Sequence, residues 1–60
     1  MNGKQVIQRL KKNGFHVART KGSHHVMKKG SVVFPVPVHG SKDLKIGTLK
    51  NIEKISGVKL

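Results

Sequence analysis

The chain has 60 residues, no cysteine, and thirteen Lys and Arg against two carboxylates, Asp43 and Glu53, for a formal charge of +11 at pH 7. Neither disulfides nor a thiolate zinc site can reinforce so short a chain, and folding hides only about 60% of its unfolded surface, so one marginally stable domain over residues 1–60 is expected. A surface of one sign repels itself and calls for a polyanionic partner, nucleic acid or an acidic protein, whereas a merely soluble surface mixes both signs.

Residues 2–14, NGKQVIQRLKKNG, read as a helix over about 3–13. Asn2 is a good N-cap, and Gln5 three positions on completes a capping box. Val6, Ile7 and Leu10 form a narrow apolar stripe, Lys11 and Lys12 suit the negative end of the dipole, and Gly14 supplies a left-handed stop. In FHVART, Phe15, Val17 and Arg19 then alternate with His16, Ala18 and Thr20, which is a strand pattern. Lys21-Gly22 reads as a two-residue hairpin loop, HHVMKK as the returning strand, and Gly30-Ser31 as the next turn. SVVFPVPVH is β-branched and apolar, but Pro35 and Pro37 lack N–H groups on the same side of the strand, so it belongs at a sheet edge. After the polar connection HGSKDL comes a second helix over about 47–56, with Ile46, Leu49, Ile52 and Ile55 spaced by three and Gly57 as its stop. Its start, Gly47-Thr48 near Lys45 and Lys50, offers free N–H groups suited to a phosphate; a plain capped helix start explains the same residues more commonly.

The order is α-β-β-β-α, and the fold class α+β. Two short amphipathic helices cover one face of a three-stranded antiparallel meander with strand order 1-2-3, because neither layer can bury itself alone. The other sheet face stays open. A loop at Lys21-Gly22 pairs Arg19 with His24 on the face of Phe15, Val17 and Val26, and a one-residue slip inverts that assignment. No apolar run suggests a signal peptide, and the nearly apolar stretch Val32 to Val38 is too short to span a bilayer. Neither helix has the aromatic-rich face of an interfacial helix. A cytoplasmic, membrane-free protein is therefore expected.

GSHH, residues 22–25, holds the chemistry. Adjacent strand residues point to opposite faces, so His24 and His25 do not easily share an ion, and Asp43 and Glu53 are the only carboxylates. No metal or other cofactor is expected. One reading is structural, with one histidine half-buried and the other solvated. The other makes a histidine a general base: it must be neutral at working pH, which nearby cations favour, Gly22 lets substrate approach closely, and Arg19, Lys21, Lys28 and the Ser23 hydroxyl are donors for a phosphate.

A helix ending in Gly-aromatic, then R-x-K-G-S-H-H, then V-P-V-H-G-S-K-D-L, then G-T-L-K-N-I-E-K-I-S-G together resemble the HicA toxin family over essentially the whole chain. The resemblance implies a double-stranded-RNA-binding-domain-like fold, an endonuclease that cuts messenger RNA (an mRNA interferase), and an acidic HicB-like antitoxin as partner. It carries the essential strand histidine to His24, with Gly22 and Ser23 as the supporting turn. His25 sits where the family varies, and His39 matches the histidine of the V-P-x-H segment, its role open. Phe15 departs from the Trp of many members. In such an enzyme His24 takes the proton of a 2′-OH, cations among Arg19, Lys21, Lys28, Lys45 and Lys50 hold the RNA, and His39, Lys28 or water protonates the leaving oxygen. The rival is a non-catalytic RNA- or DNA-binding module on the same basic surface. With only Phe15 and Phe34 as aromatics, both needed for the core, a base-stacking platform does not fit.

Overall fold

The computed structural model describes residues 1–60 as α1 (Gly3–Lys11), β1 (His16–Lys21), β2 (His24–Lys29), β3 (Val32–Pro37) and α2 (Ile46–Ser56). The strands form one antiparallel sheet in the order β1-β2-β3. No helix is long and apolar enough to cross a membrane.

The capping box forms as expected. Asn2 Oδ1 accepts from the Gln5 N–H, and Gln5 Oε1 from the Asn2 N–H, each at 2.9 Å. Beyond the helix, Gly14 takes φ 89° and the Phe15 N–H donates back to the Leu10 carbonyl at 3.1 Å. Lys29 clamps this corner: its Nζ donates to the Asn13 carbonyl at 2.9 Å and stands 5.6 Å from the centroid of the Phe15 ring. Reading the sequence assigned Lys29 no such role.

Both hairpins close on a Gly-Ser pair, Gly22-Ser23 and Gly30-Ser31. The first loop is thus one residue later than the expected Lys21-Gly22. Each glycine has φ 58° and no other residue type has a positive φ, the pattern of a type II′ turn, which needs glycine at its first central position. A Lys21-Gly22 loop would have forced that backbone on a lysine. His24 therefore pairs with Lys21, His25 with Thr20, and Arg19 with Val26, rather than Arg19 with His24.

A bulge between Val17 and Arg19 shifts the register of β1. Val17 opposes Met27 and Arg19 opposes the next residue, Val26, so Ala18 is the extra residue and the two flanking side chains leave the sheet on opposite faces. Simple alternation had put Phe15, Val17 and Arg19 together. In fact Phe15 and Val17 join the helices, while Arg19 shares the open face with Val26 and His24.

The covered face carries Met27 with Phe34 opposite, and Val36 opposite His25. Val6, Ile7 and Leu10 from α1, with Phe15, Ile52 and Val58, complete a core of nine buried residues. Phe15 and Phe34 meet edge to face with centroids 5.5 Å apart. α2 departs from its expected stripe: Ile52 is 3% exposed, Leu49 half-buried, but Ile46 is 71% and Ile55 44% exposed. At about 100° per residue, positions nine apart lie about 180° around the helix, so the two ends of a run spaced by three cannot face one core.

Gly3 is where α1 touches the sheet. A Cβ there would run into the Pro37 carbonyl and lie 2.8 Å from Val38 Cγ2. One at Gly47 in α2 would meet nothing within 4 Å. Gly3→Ala is expected to cost about 1–3 kcal/mol through forced backbone separation, a large share of the roughly 3–9 kcal/mol available to a chain of this size. Gly47→Ala should leave stability unchanged or raise it by up to about 1 kcal/mol. Urea unfolding of the two variants checks the contrast.

Candidate active site

His24 is the first residue after the Gly22-Ser23 turn, and it is exposed. It lies opposite Lys21 on one side and Pro37 on the other, on the sheet face that no helix covers. Residues directly opposed in a ladder have Cβ atoms about 4.5–5.5 Å apart, and diagonal neighbours about 7–8 Å. Lys21 is thus the direct neighbour of His24, and Arg19, one pair along, its diagonal neighbour. Lys28 shares this face but lies four residues along β2, about 13 Å away, opposite His16 and Val33. The strand cations therefore form a strip, with Arg19 and Lys21 beside His24 and Lys28 at its far end next to His16.

The turn before His24 is pinned to the end of β3, where the Ser23 carbonyl accepts from the Val38 N–H at 2.7 Å. Apart from its own chain neighbours, no heavy atom lies within 4 Å of where a Gly22 side chain would begin. The glycine is there for its backbone, and the space beside it is open to a substrate.

Just past β3 the Gly-Ser turn recurs a third time. Gly40 has φ 58° and the Lys42 N–H donates to the His39 carbonyl at 3.1 Å. The turn holds His39 and Lys42 at its two ends, and both line a cleft of about 280 Å³ with Pro37, Asp43, Leu44, Lys45 and Thr48. Lys45 is the N-cap of α2, makes no side-chain capping bond, and is followed by no acidic residue in the first turn. Of the four residues expected around the helix start, Lys45 and Thr48 line the cleft, while Gly47 and Lys50 do not.

His25 faces the other way, towards the helix layer, between Thr20 and Val36. It is half-buried, and its Nδ1 is buried with no hydrogen-bond partner. The paired histidines therefore divide: one is solvated on the open face, the other belongs to the packed layer.

Neither carboxylate meets a lysine or arginine. Asp43 stands 3.6 Å from the Met1 amino group, and a Glu53 carboxylate oxygen accepts from the Leu60 N–H at 2.9 Å. The side-chain cations are therefore uncompensated within the fold. His16 and Lys42 were not singled out in the sequence as site residues. The signal for Lys42 was the third Gly-Ser pair, which matches the two hairpin turns and makes residues 39 and 42 neighbours.

A small basic α+β protein with one bare sheet face and a solvated histidine beside two cations is the class this geometry defines. Residues 3–58 match the family described as the HicA toxin of bacterial toxin–antitoxin systems, and no individual curated protein matches. The chain belongs to the HicA toxin family, the toxins of bacterial toxin–antitoxin systems, and that membership implies a HicB antitoxin as partner.

A buried polar atom without a hydrogen-bond partner costs about 1–3 kcal/mol. His25→Leu, which removes the unpartnered Nδ1 while keeping apolar volume, is expected to hold or raise the thermal midpoint, and His24→Ala to leave it nearly unchanged. A marked fall for His25→Leu in a thermal melt would mean that Nδ1 is satisfied after all, by a trapped water.

Proposed function

We propose that this toxin is an endoribonuclease that cuts messenger RNA, with His24 as general base on the 2′-OH. The observation that carries the reading is a solvated imidazole on an uncovered sheet face, with Lys21 opposite and Arg19 diagonal to it, and no carboxylate paired with either cation. RNA brings its own nucleophile, so no metal is needed to make one. His24 takes the 2′-OH proton, the 2′-oxygen bonds to the adjacent phosphorus, and the bond to the 5′-oxygen breaks. The products are a 2′,3′-cyclic phosphate and a 5′-hydroxyl. Lys21 and Arg19 stabilise the extra charge on phosphorus at the moment it develops. Gly22 and Ser23 hold His24 at the mouth of the turn, and Lys28, Lys45 and Lys50 add to the field that gathers the strand.

The same face suits inhibition. An acidic antitoxin that covers His24 and its cations would both block the base and neutralise the charge, and association with it should be fast and sensitive to salt.

His24→Ala is expected to lower the cleavage rate about 10²–10⁴-fold, or roughly 3–5 kcal/mol of barrier, with RNA binding and circular dichroism unchanged. Cleavage should persist in excess EDTA and stop with a 2′-deoxy residue at the cut position. A fully active His24→Ala protein would move the base elsewhere, and equal cleavage of the deoxy substrate would make water the nucleophile. Wild-type protein that binds RNA without cutting it would leave a non-catalytic binding module.

For a single strand held at about five phosphates, the logarithmic salt slope of RNA binding should be roughly −3 to −4. Lys21→Ala should reduce it by about 0.7. A slope near zero would mean that the charge serves something other than phosphate contact.

A further inference from the structure

We infer that His39 is the second catalytic group, the general acid that protonates the leaving 5′-oxygen, and that the cleft it shares with Lys42, Lys45 and Thr48 receives the nucleotide on the leaving side. This rests on the nuclease reading above and deepens it.

Position is the first ground. His24 is directly opposite Pro37, and the Val38 N–H to Ser23 carbonyl bond carries the ladder one residue beyond the strand. Val38, just past the strand, packs against the core and lies over Gly3, so continuing the alternation of β3 by two residues puts His39 on the open face with Pro37. His39 is then the diagonal neighbour of His24 across the ladder, about 7–8 Å away. A phosphate fits between two imidazoles at that separation, one reaching the 2′-oxygen and the other the opposite, departing oxygen. The cleft agrees independently: Pro37 and His39 line the same cavity, so the floor beneath His24 continues into the wall that carries His39.

Chemistry narrows the choice of acid. Lys28 is about 13 Å along β2 from His24, too far to reach the same phosphate's leaving oxygen. Lys21 is close, but an ammonium as a class titrates near pH 10 and an imidazole near 6.5, and proton transfer is most effective from a group matched to the working pH. Arginine does not give up its proton in proteins. The third Gly-Ser turn then has a purpose: it folds Lys42 back beside His39, so that Lys42 and Lys45 flank the departing nucleotide and its next phosphate.

The step balances. The 2′-O–P bond forms and the P–O5′ bond breaks, the 2′-OH proton passes to His24, and a proton from the His39 imidazolium passes to O5′. The two histidines exchange their extra proton with solvent before the next turnover. The charged groups that face His39 are Lys42, Asp43 and Lys45 of the cleft and His24 across the ladder. His24 must enter the step unprotonated and His39 protonated, so the two histidines work in opposite protonation states.

Two oligonucleotides test this, identical except that the bridging atom of one mapped cleavage site is the natural 5′-oxygen or a 5′-sulfur. A thiolate leaves without being protonated. His39→Ala should cut the oxygen substrate about 10²–10⁴-fold more slowly than wild type, yet stay within a few-fold of wild type on the sulfur substrate. Its pH–rate profile should lose the alkaline limb and keep the acid one. His24→Ala should be slow on both substrates. His39→Gln, close in size and hydrogen bonding but no acid, should behave as His39→Ala does. Equal slowing of His39→Ala on both substrates would make His39 a binding or folding residue, and equal speed on both would remove it from the site; either result overturns the inference. Wild-type protein that cuts neither substrate fails the nuclease reading itself and takes this inference with it, a result separable from the other two.

Discussion

The complete burial of Met27 at the centre of the middle strand, between Val17 and Phe34, sets the parity of the whole sheet. Side chains alternate along a strand, so one fixed inward residue decides every other. With Met27 inward, His25 must also face the helices, and His24, Val26 and Lys28 must face water. A chain of sixty residues makes two short helices and so covers one side only. The bare face is thus a consequence of size, and the placement of His24 on it a consequence of packing elsewhere.

Charge turns that bare face into a site. The excess cations have no carboxylate partners within the fold, and a low-stability domain tolerates such self-repulsion only because its charges are spread over exposed side chains. A polyanion relieves it. RNA and an acidic antitoxin answer the same electrostatic demand, which is the physical reason one surface can serve substrate and inhibitor in turn.

The turn chemistry links the two halves of the site. Three Gly-Ser pairs adopt the same glycine backbone, φ 58° at Gly22, Gly30 and Gly40. The first sets His24 at the start of β2, and the third folds His39 and Lys42 around one cleft. Between them, the Ser23 to Val38 hydrogen bond and the tight approach of α1 at Gly3 hold the end of β3 in place. The geometry of the site thus depends on backbone features some distance from the imidazoles.

The sequence by itself determined the element order, the capping box of Asn2 and Gln5, the glycine stops, the edge position of the proline-bearing strand and the opposite facing of His24 and His25. Each rests on local chemistry: a cap, a left-handed glycine, a missing N–H, a period of two. The tertiary structure alone decided which face each histidine takes and that Arg19, with His24, parts from Phe15 and Val17. The bulge at Ala18 breaks the alternation that would have placed Arg19 with Val17, and nothing in FHVART announces it. Likewise Ile46 and Ile55 look like core residues in a run spaced by three, yet helical rotation carries them away from Ile52. Register, bulges and helix facing depend on the fit of the whole core, and a pattern read along one segment does not contain them.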